Sequence, residues 1–479
     1  MLVSFVESRS HRRVTNVSEM RDGLAVAVEE IAAYRETLSV SPVGASATRA
    51  ELVAALPRSL PTEGAPLDEV LRELVDVARP GLIASAGPRY FGFVTGGSTD
   101  AALVADVMTS GWDQLAFNES SSPASLAFED VAGSWLKDLL GIPASASVGF
   151  VTGAQAANTV GLTAARLQVL RDYGWDVGSD GLHGAPRVRV VAGAERHATI
   201  DRTLRLLGLG EQALELVSVG PQGAMDSEAL DDVLRSGASG PTIVCAQSGN
   251  VNTGAFDNIR QICHVAKQHG AWVHVDGAFG LWAGASPSLR HHVDGVELAD
   301  SWGCDGHKWL NVPYDSGYAF CARPEVHASA MGYTAAYLSG QEEGRHFGGG
   351  DFVLESSRRA RGFATWAALR GLGRSGVEGV IDRCCELARR FADGLNTIDG
   401  VDVVNDVVLN QVLVRVGDES TTDRIALEIQ RAGEAWLGAT TWRGERLLRI
   451  SVSNWSTTSA DIDRSIQAVV DAVERVRRP

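Results

Sequence analysis

Between residues 147 and 322 the chain alternates short apolar runs with helical stretches, and this rhythm limits its fold more than any other feature. The runs are SVGFVT (147–152), RVRVVA (187–192), TIVCAQ (242–247), AWVHVD (271–276) and GYAFCA (317–322). Each is too short for a helix and rich in Val or aromatic residues, as strands are. Helical segments such as 226–235 and 256–269 lie between them. Runs without polar alternation belong to strands buried on both faces, and strands separated by helices pair in parallel. The sequence therefore predicts an α/β domain built on a mostly parallel sheet.

The flanks differ. Residues 14–40 place Leu24, Val28, Ile31 and Leu38 at helical spacing, and LDEVLRELVDVA (67–78) is a second amphipathic helix stopped by Pro80-Gly81. Ser121-Ser122-Pro123 opens a helix that Gly141 closes. Beyond residue 352 a long helical stretch (358–395) leads to strands near 401–404, 411–416 and 447–453 and a last helix at 460–476. We expect three units: an N-terminal helical arm (1–84) that packs on a partner, a large α/β domain (85–352) and a small C-terminal α+β domain (353–479). With 45% hydrophobic residues the chain can bury a large core. Its net charge of −16 argues against nucleic acid or an anionic membrane as partner. Six scattered cysteines without metal-ligand spacing are expected to be free thiols, with no metal site. The N-terminal MLVSFVESRSHRR lacks the order of an export signal and no run is long enough to span a membrane, so a cytoplasmic protein is expected.

The chemistry is carried by strand ends, where ligands sit in open α/β sheets. Asp276 ends AWVHVD, and His307-Lys308-Trp309 follows downstream. Lys308 is one of three lysines, beside forty arginines. Arginine is always charged, whereas a lysine in an apolar setting can lose its proton and attack a carbonyl. A buried Asp and a distant Lys suit pyridoxal 5′-phosphate (PLP): the first holds the pyridine nitrogen protonated, the second the aldehyde. Thr152-Gly153-Ala154-Gln155-Ala156, between a strand and a helix, offers backbone N–H groups to a phosphate. His197 follows the strand 187–192, where an imidazole can stack on a ring and move protons. The bland readings are a structural histidine, a helix-capping Asp276 and ordinary turns at 152–156 and 248–254.

Together these residues resemble the PLP-dependent group II amino-acid decarboxylase family, which includes aromatic-amino-acid, tyrosine and glutamate decarboxylases. The resemblance spans most of the chain, through GPRYFGFVTGG (87–97), GFVTGAQAAN (149–158), ERHATIDRTLRLLGLG (195–210), HVDGA (274–278), DGHKWLNVPYDSG (305–317), SRRARGFATWAALRGLG (357–373) and LLRISVSNWSTTSADID (447–463). It implies the aspartate-aminotransferase-like fold type I, with a large mostly parallel seven-stranded sheet, and a homodimer with sites at the interface. By position it makes Lys308 the Schiff-base lysine, Asp276 the partner of the pyridine nitrogen, Ala278 the small residue under the ring and His197 the imidazole above it. His307 and the turn Ala154, Gln155 and Ala156 fall at the phosphate. Asn250 and Asn252 fall near the cofactor, and Tyr90 and Phe91 in the segment that shapes the substrate pocket. The implied reaction is loss of CO2 from a small-molecule L-amino acid, aromatic or aliphatic, to give an amine.

Three departures from the family pattern stand out. The loop SGQEEGRHFGGGD (339–351) lacks the tyrosine that protonates the product carbon in aromatic-type members, which leaves His346 as the replacement acid. Asp305 replaces a common Asn, and an added carboxylate beside a phosphate calls for a neutralising arginine. Ala156 replaces a common Ser, a loss of one hydrogen bond worth about 0.5–1.5 kcal/mol. The altered loop keeps a second reaction open: oxidative deamination to an aldehyde, or C–C bond cleavage, on the same scaffold.

Overall fold

The computed structural model describes residues 17–333 and 348–478. Seven strands form the large sheet: β1 (Ser147–Val151), β2 (Arg189–Gly193), β3 (Leu214–Val217), β4 (Thr242–Gln247), β5 (Trp272–Asp276), β6 (Ser301–Asp305) and β7 (Gly317–Cys321). Their order is β1-β7-β6-β5-β4-β2-β3. The pairs from β6 through β3 are parallel, while β7 runs antiparallel to both β1 and β6. Every residue of β2, β4, β5, β6 and β7 is buried, because helices cover both faces.

Four strands, β8 (Val401–Val403), β9 (Gln411–Val416), β10 (Gly438–Trp442) and β11 (Glu445–Ser451), form a separate antiparallel sheet in the order β10-β11-β9-β8. A long helix, Gly362–Leu395, joins the two parts and breaks at Gly373, whose φ of 63° suits a residue without a side chain. The arm helices Val17–Thr37 and Leu67–Ala78 bury no residue, and Leu24, Val28, Val70 and Leu74 are exposed on them.

The helix Pro123–Leu140 begins with proline at its first position after the capping Ser122, and ends on left-handed Gly141. Glu129 on this helix meets Arg358 in a two-pronged ion pair, both contacts 2.6 Å, with both side chains almost fully buried. Arg358 also lies 3.5 Å from the Phe150 carbonyl, so the pair fixes the end of β1 against the segment that opens the long helix. Burial pushes the Glu129 carboxyl up, and Arg358 opposes that shift. Removing one partner strands the other's charge. Arg358→Met is expected to destabilise the protein by about 3–5 kcal/mol in urea denaturation; a loss below about 0.5 kcal/mol, the scale of surface changes, would show that the pair does not hold this junction.

Candidate active site

Five strand ends converge on one cavity of about 330 Å³, within the size range of small-molecule sites. After β1 come Thr152, Gly153, Ala154 and Gln155, and after β2 come His197 and Thr199. The end of β4 gives Gln247, Gly249 and Val251; β5 gives Asp276, Ala278 and Phe279; β6 gives Asp305, His307 and Lys308. These groups are up to 156 positions apart in sequence, from Thr152 to Lys308. Parallel pairing aligns the strands' carboxyl ends, and that brings them together.

At one end of the cavity the helix Ala154–Arg171 begins. Its Ala154 amide donates to Asp305 Oδ1 at 2.5 Å. The amides of Gln155 and Ala156 have no acceptor among the described residues, so an anion has two free donors there. A Cβ on Gly153 would lie 2.9 Å from His307 and 3.1 Å from Asp305, so only glycine leaves this cradle open. The Gln155 side chain turns away to Thr203 (2.9 Å), and Ala156 packs its methyl into a small apolar cluster. Their side chains are thus engaged elsewhere, and what they can offer an anion is main chain.

His307 Nδ1 accepts from the Ser316 amide at 3.2 Å, which aims Nε2 at Asp305 Oδ1, 3.3 Å away. Its ring stacks on Tyr314 with centroids 4.3 Å apart. Burial pushes the His307 imidazole down and Asp305 opposes the shift. Lys308 Nζ lies 3.0 Å from Asp305 Oδ2 and 5.7 Å from the centre of the Phe279 ring. The cation balancing Asp305 is thus Lys308, and no arginine pairs with this carboxylate among the described residues.

Across the cavity, Asp276 is 5% exposed, and the Ala278 amide at 3.4 Å is the one hydrogen bond to its carboxylate among the described residues. A buried carboxylate without a cation suits a ligand that brings a positive N–H. His197 caps the helix Ala198–Leu206, with its Nδ1 3.3 Å from the Thr199 amide and 2.9 Å from the Thr199 hydroxyl. Burial holds its pKa below the usual range, Lys308 and Arg449 push it the same way, and Asp276 opposes them. The ring is therefore uncharged at neutral pH, as stacking on a cationic ring requires.

Not every residue singled out in the sequence comes to the cavity. The Asn250 side chain is consumed by its own turn, accepting from the amides of Asn252 and Thr253, and Asn252 bonds Thr440 of the small sheet. Phe91 is buried against Phe391, and Tyr90 stacks on Trp436; neither lines the cavity. His346 lies outside the described residues. Thr199, Gln247 and Val251 line the cavity without having been singled out, and their neighbours His197 and Asn250 were the available signal. Arg449 on β11 was also missed: it acts on His197 electrostatically, and the one side-chain hydrogen bond it makes among the described residues is a long 3.5 Å contact to the Phe93 carbonyl.

The cavity fits PLP. It has free amides for a phosphate, a lysine amine, a buried unpaired carboxylate for a pyridinium and an uncharged imidazole for the ring face. Comparison with known proteins agrees. Residues 50–416 match the pyridoxal-dependent decarboxylase conserved domain. The chain is 28% identical to tryptophan decarboxylase 1 of Oryza sativa subsp. japonica, over 92% of its length and 90% of the relative's. It is 27% identical to phenylacetaldehyde synthase of a Rosa hybrid cultivar, over 82% and 78%. A solved structure of Oryza sativa TDC with PLP and tryptamine superimposes with a TM-score of 0.90 at 26% identity, covering 97% of this chain and 99% of that one. The chain belongs to the pyridoxal-dependent decarboxylase family, has fold type I, and is a carboxy-lyase that works with pyridoxal phosphate.

Proposed function

We propose that the protein removes CO2 from an aromatic or aliphatic L-amino acid to give the amine, and that it works as a homodimer. The observation that carries the reading is the meeting of Lys308, Asp276 and His197 in one cavity. Bound PLP supplies the electron sink for the pair of electrons left when the carboxylate departs. Asp276 keeps the pyridine nitrogen protonated, and that makes the sink effective. Lys308 is the amine that would hold the cofactor's aldehyde. His197, on the cavity wall, would pack against the face of the bound ring.

Arg449 is a partly buried cation without a carboxylate partner among the described residues. We assign to it the substrate carboxylate, since a guanidinium binds such a group by paired hydrogen bonds. The exposed apolar faces of the two arm helices support pairing with a second copy, as does exposed Phe93, stacked on Trp436. The stacked Tyr90, Trp436 and Phe93 support an apolar rather than an acidic substrate side chain, delivered from the segment 87–97.

Oxidative deamination is the second reading. The segment 339–351 contains no tyrosine, and an aldehyde synthase stands among the relatives. With the sequence-assigned acid, His346, delivering the proton to the α-carbon, the product is the amine. Without that proton, O2 oxidises the same carbon and water releases aldehyde and ammonia, with peroxide as the reduced product.

Three outcomes are expected. Holoenzyme incubated in air with a pool of L-amino acids yields the matching amine and CO2 without peroxide, and Lys308→Ala lowers turnover by about three orders of magnitude or more. Aldehyde, ammonia and peroxide in place of amine would establish the second reading instead. Arg449→Met raises KM for the amino acid by about 10- to 100-fold, the equivalent of one charged hydrogen bond of about 1.5–3 kcal/mol, and leaves PLP affinity unchanged; an unchanged KM would remove Arg449 from the substrate site.

A further inference from the structure

The phosphate end of the cavity has an unusual charge balance. A bound phosphate carries about −1.5 to −2 at neutral pH, and its cradle already holds a carboxylate. The Asp305 side chain is 3% exposed and fixed at the end of β6, with Oδ1 on the Ala154 amide at 2.5 Å and Oδ2 3.0 Å from Lys308. It occupies the first of the three amides that open the helix Ala154–Arg171, beside the free amides of Gln155 and Ala156.

Among the described residues, no group facing Asp305 other than Lys308 can offset a second negative charge. His307 and His197 are held uncharged at neutral pH by burial. Cys304, Tyr314 and Tyr318 are pushed up by burial and stay neutral. Asp276 is itself a carboxylate, and Asp315 is paired with Arg361. Lys308 cannot both pair with Asp305 and bond to the cofactor's aldehyde carbon. Two like charges sharing such a site favour protonation of one of them.

Resting on the assignment of PLP to this cavity, we propose that Asp305 makes cofactor capture proton-linked. As the phosphate settles on the amides of Gln155 and Ala156, the Asp305 carboxylate takes up one proton from solvent and donates it to a phosphate oxygen. Charge balances: one proton enters with each phosphate, beyond the condensation of the Lys308 amine with the aldehyde, which releases water and which pyridoxal shares, and the acid–phosphate hydrogen bond replaces the ion pair with Lys308. PLP affinity then falls as pH rises, because the proton must be drawn from an increasingly dilute supply.

The test is PLP binding to the apo protein, followed by cofactor absorbance and quenching of protein fluorescence from about pH 7 to 9, above the second phosphate ionisation near 6. Wild type is expected to lose affinity by up to about tenfold per pH unit, relative to Asp305→Asn, which donates a hydrogen bond without needing a proton. The variant is expected to bind PLP more tightly than wild type at the alkaline end. Pyridoxal, which lacks the phosphate, should show the same pH dependence in both proteins. Calorimetry on wild type alone, in two buffers of different ionisation enthalpy, should register about one more proton taken up for PLP than for pyridoxal, whether or not the variant folds. Equal slopes in the two proteins, or equal proton uptake for the two ligands, would overturn the proposal. Failure of wild type to capture PLP, or capture undiminished in Lys308→Ala, would instead overturn the cofactor assignment on which it rests.

Discussion

A single buried carboxylate organises the site. Asp305 reaches the first amide of the helix after β1, the imidazole of His307 and the amine of Lys308 from the end of β6. β1 and β6 are not neighbours in the sheet, since β7 lies between them. Gly317 on β7 lets the turn after β1 come close: a Cβ there would lie 2.4 Å from the Gly153 Cα. The carboxylate bridges that gap over a strand without a side chain. It holds Lys308 as an ion pair and the phosphate cradle in register with it.

The other constraint is burial without compensation. Asp276 is enclosed at the end of β5 with one weak hydrogen bond, and Arg449 acts on His197 with no carboxylate of its own. Such groups cost stability unless a ligand completes them. The cost is carried by the rest of the fold: the two-sided sheet, the Glu129–Arg358 pair and the small sheet docked through Asn252–Thr440 and Glu195–Arg443. Stability is spread over the scaffold, and the unmet charges are concentrated where chemistry is needed.

Much of this was legible in the sequence. TIVCAQ is β4 without a residue of error, and the strands read at 271–276 and 317–322 differ from β5 and β7 by one residue at one end. Their strong Val and aromatic content makes them strands in any context. LDEVLRELVDVA likewise matches its helix, because its apolar stripe has a clean helical period. The misses have physical causes. β6, SWGCD, contains glycine and a charge and is a strand only because the sheet on either side supplies its partners. β3 and β10 are half-exposed edge strands; LELV is only four residues long, and GATTW has little apolar pattern. The antiparallel direction of β7 leaves no mark on composition at all. At the site, Lys308 stood out because lysine is scarce in this chain, and Asp276 and His197 because they close or follow apolar strand runs; the fold brings the three to one cavity. The partners of Asp305 could not: sequence suggested an arginine, whereas three-dimensional proximity supplies Lys308 and a backbone amide. Asn250 and Asn252 read as ligands because Asn serves turns and ligands alike; here the turn takes the Asn250 side chain and Thr440 of the small sheet takes that of Asn252.

The most direct test of the central assignment is chemical trapping. Holoenzyme treated with borohydride fixes the cofactor on whichever amine holds it, and peptide mass mapping then locates it. Three lysines make the readout simple. The account predicts modification at Lys308 alone. Label on Lys137 or Lys267, or an unlabelled Lys308 in protein saturated with PLP, would contradict it.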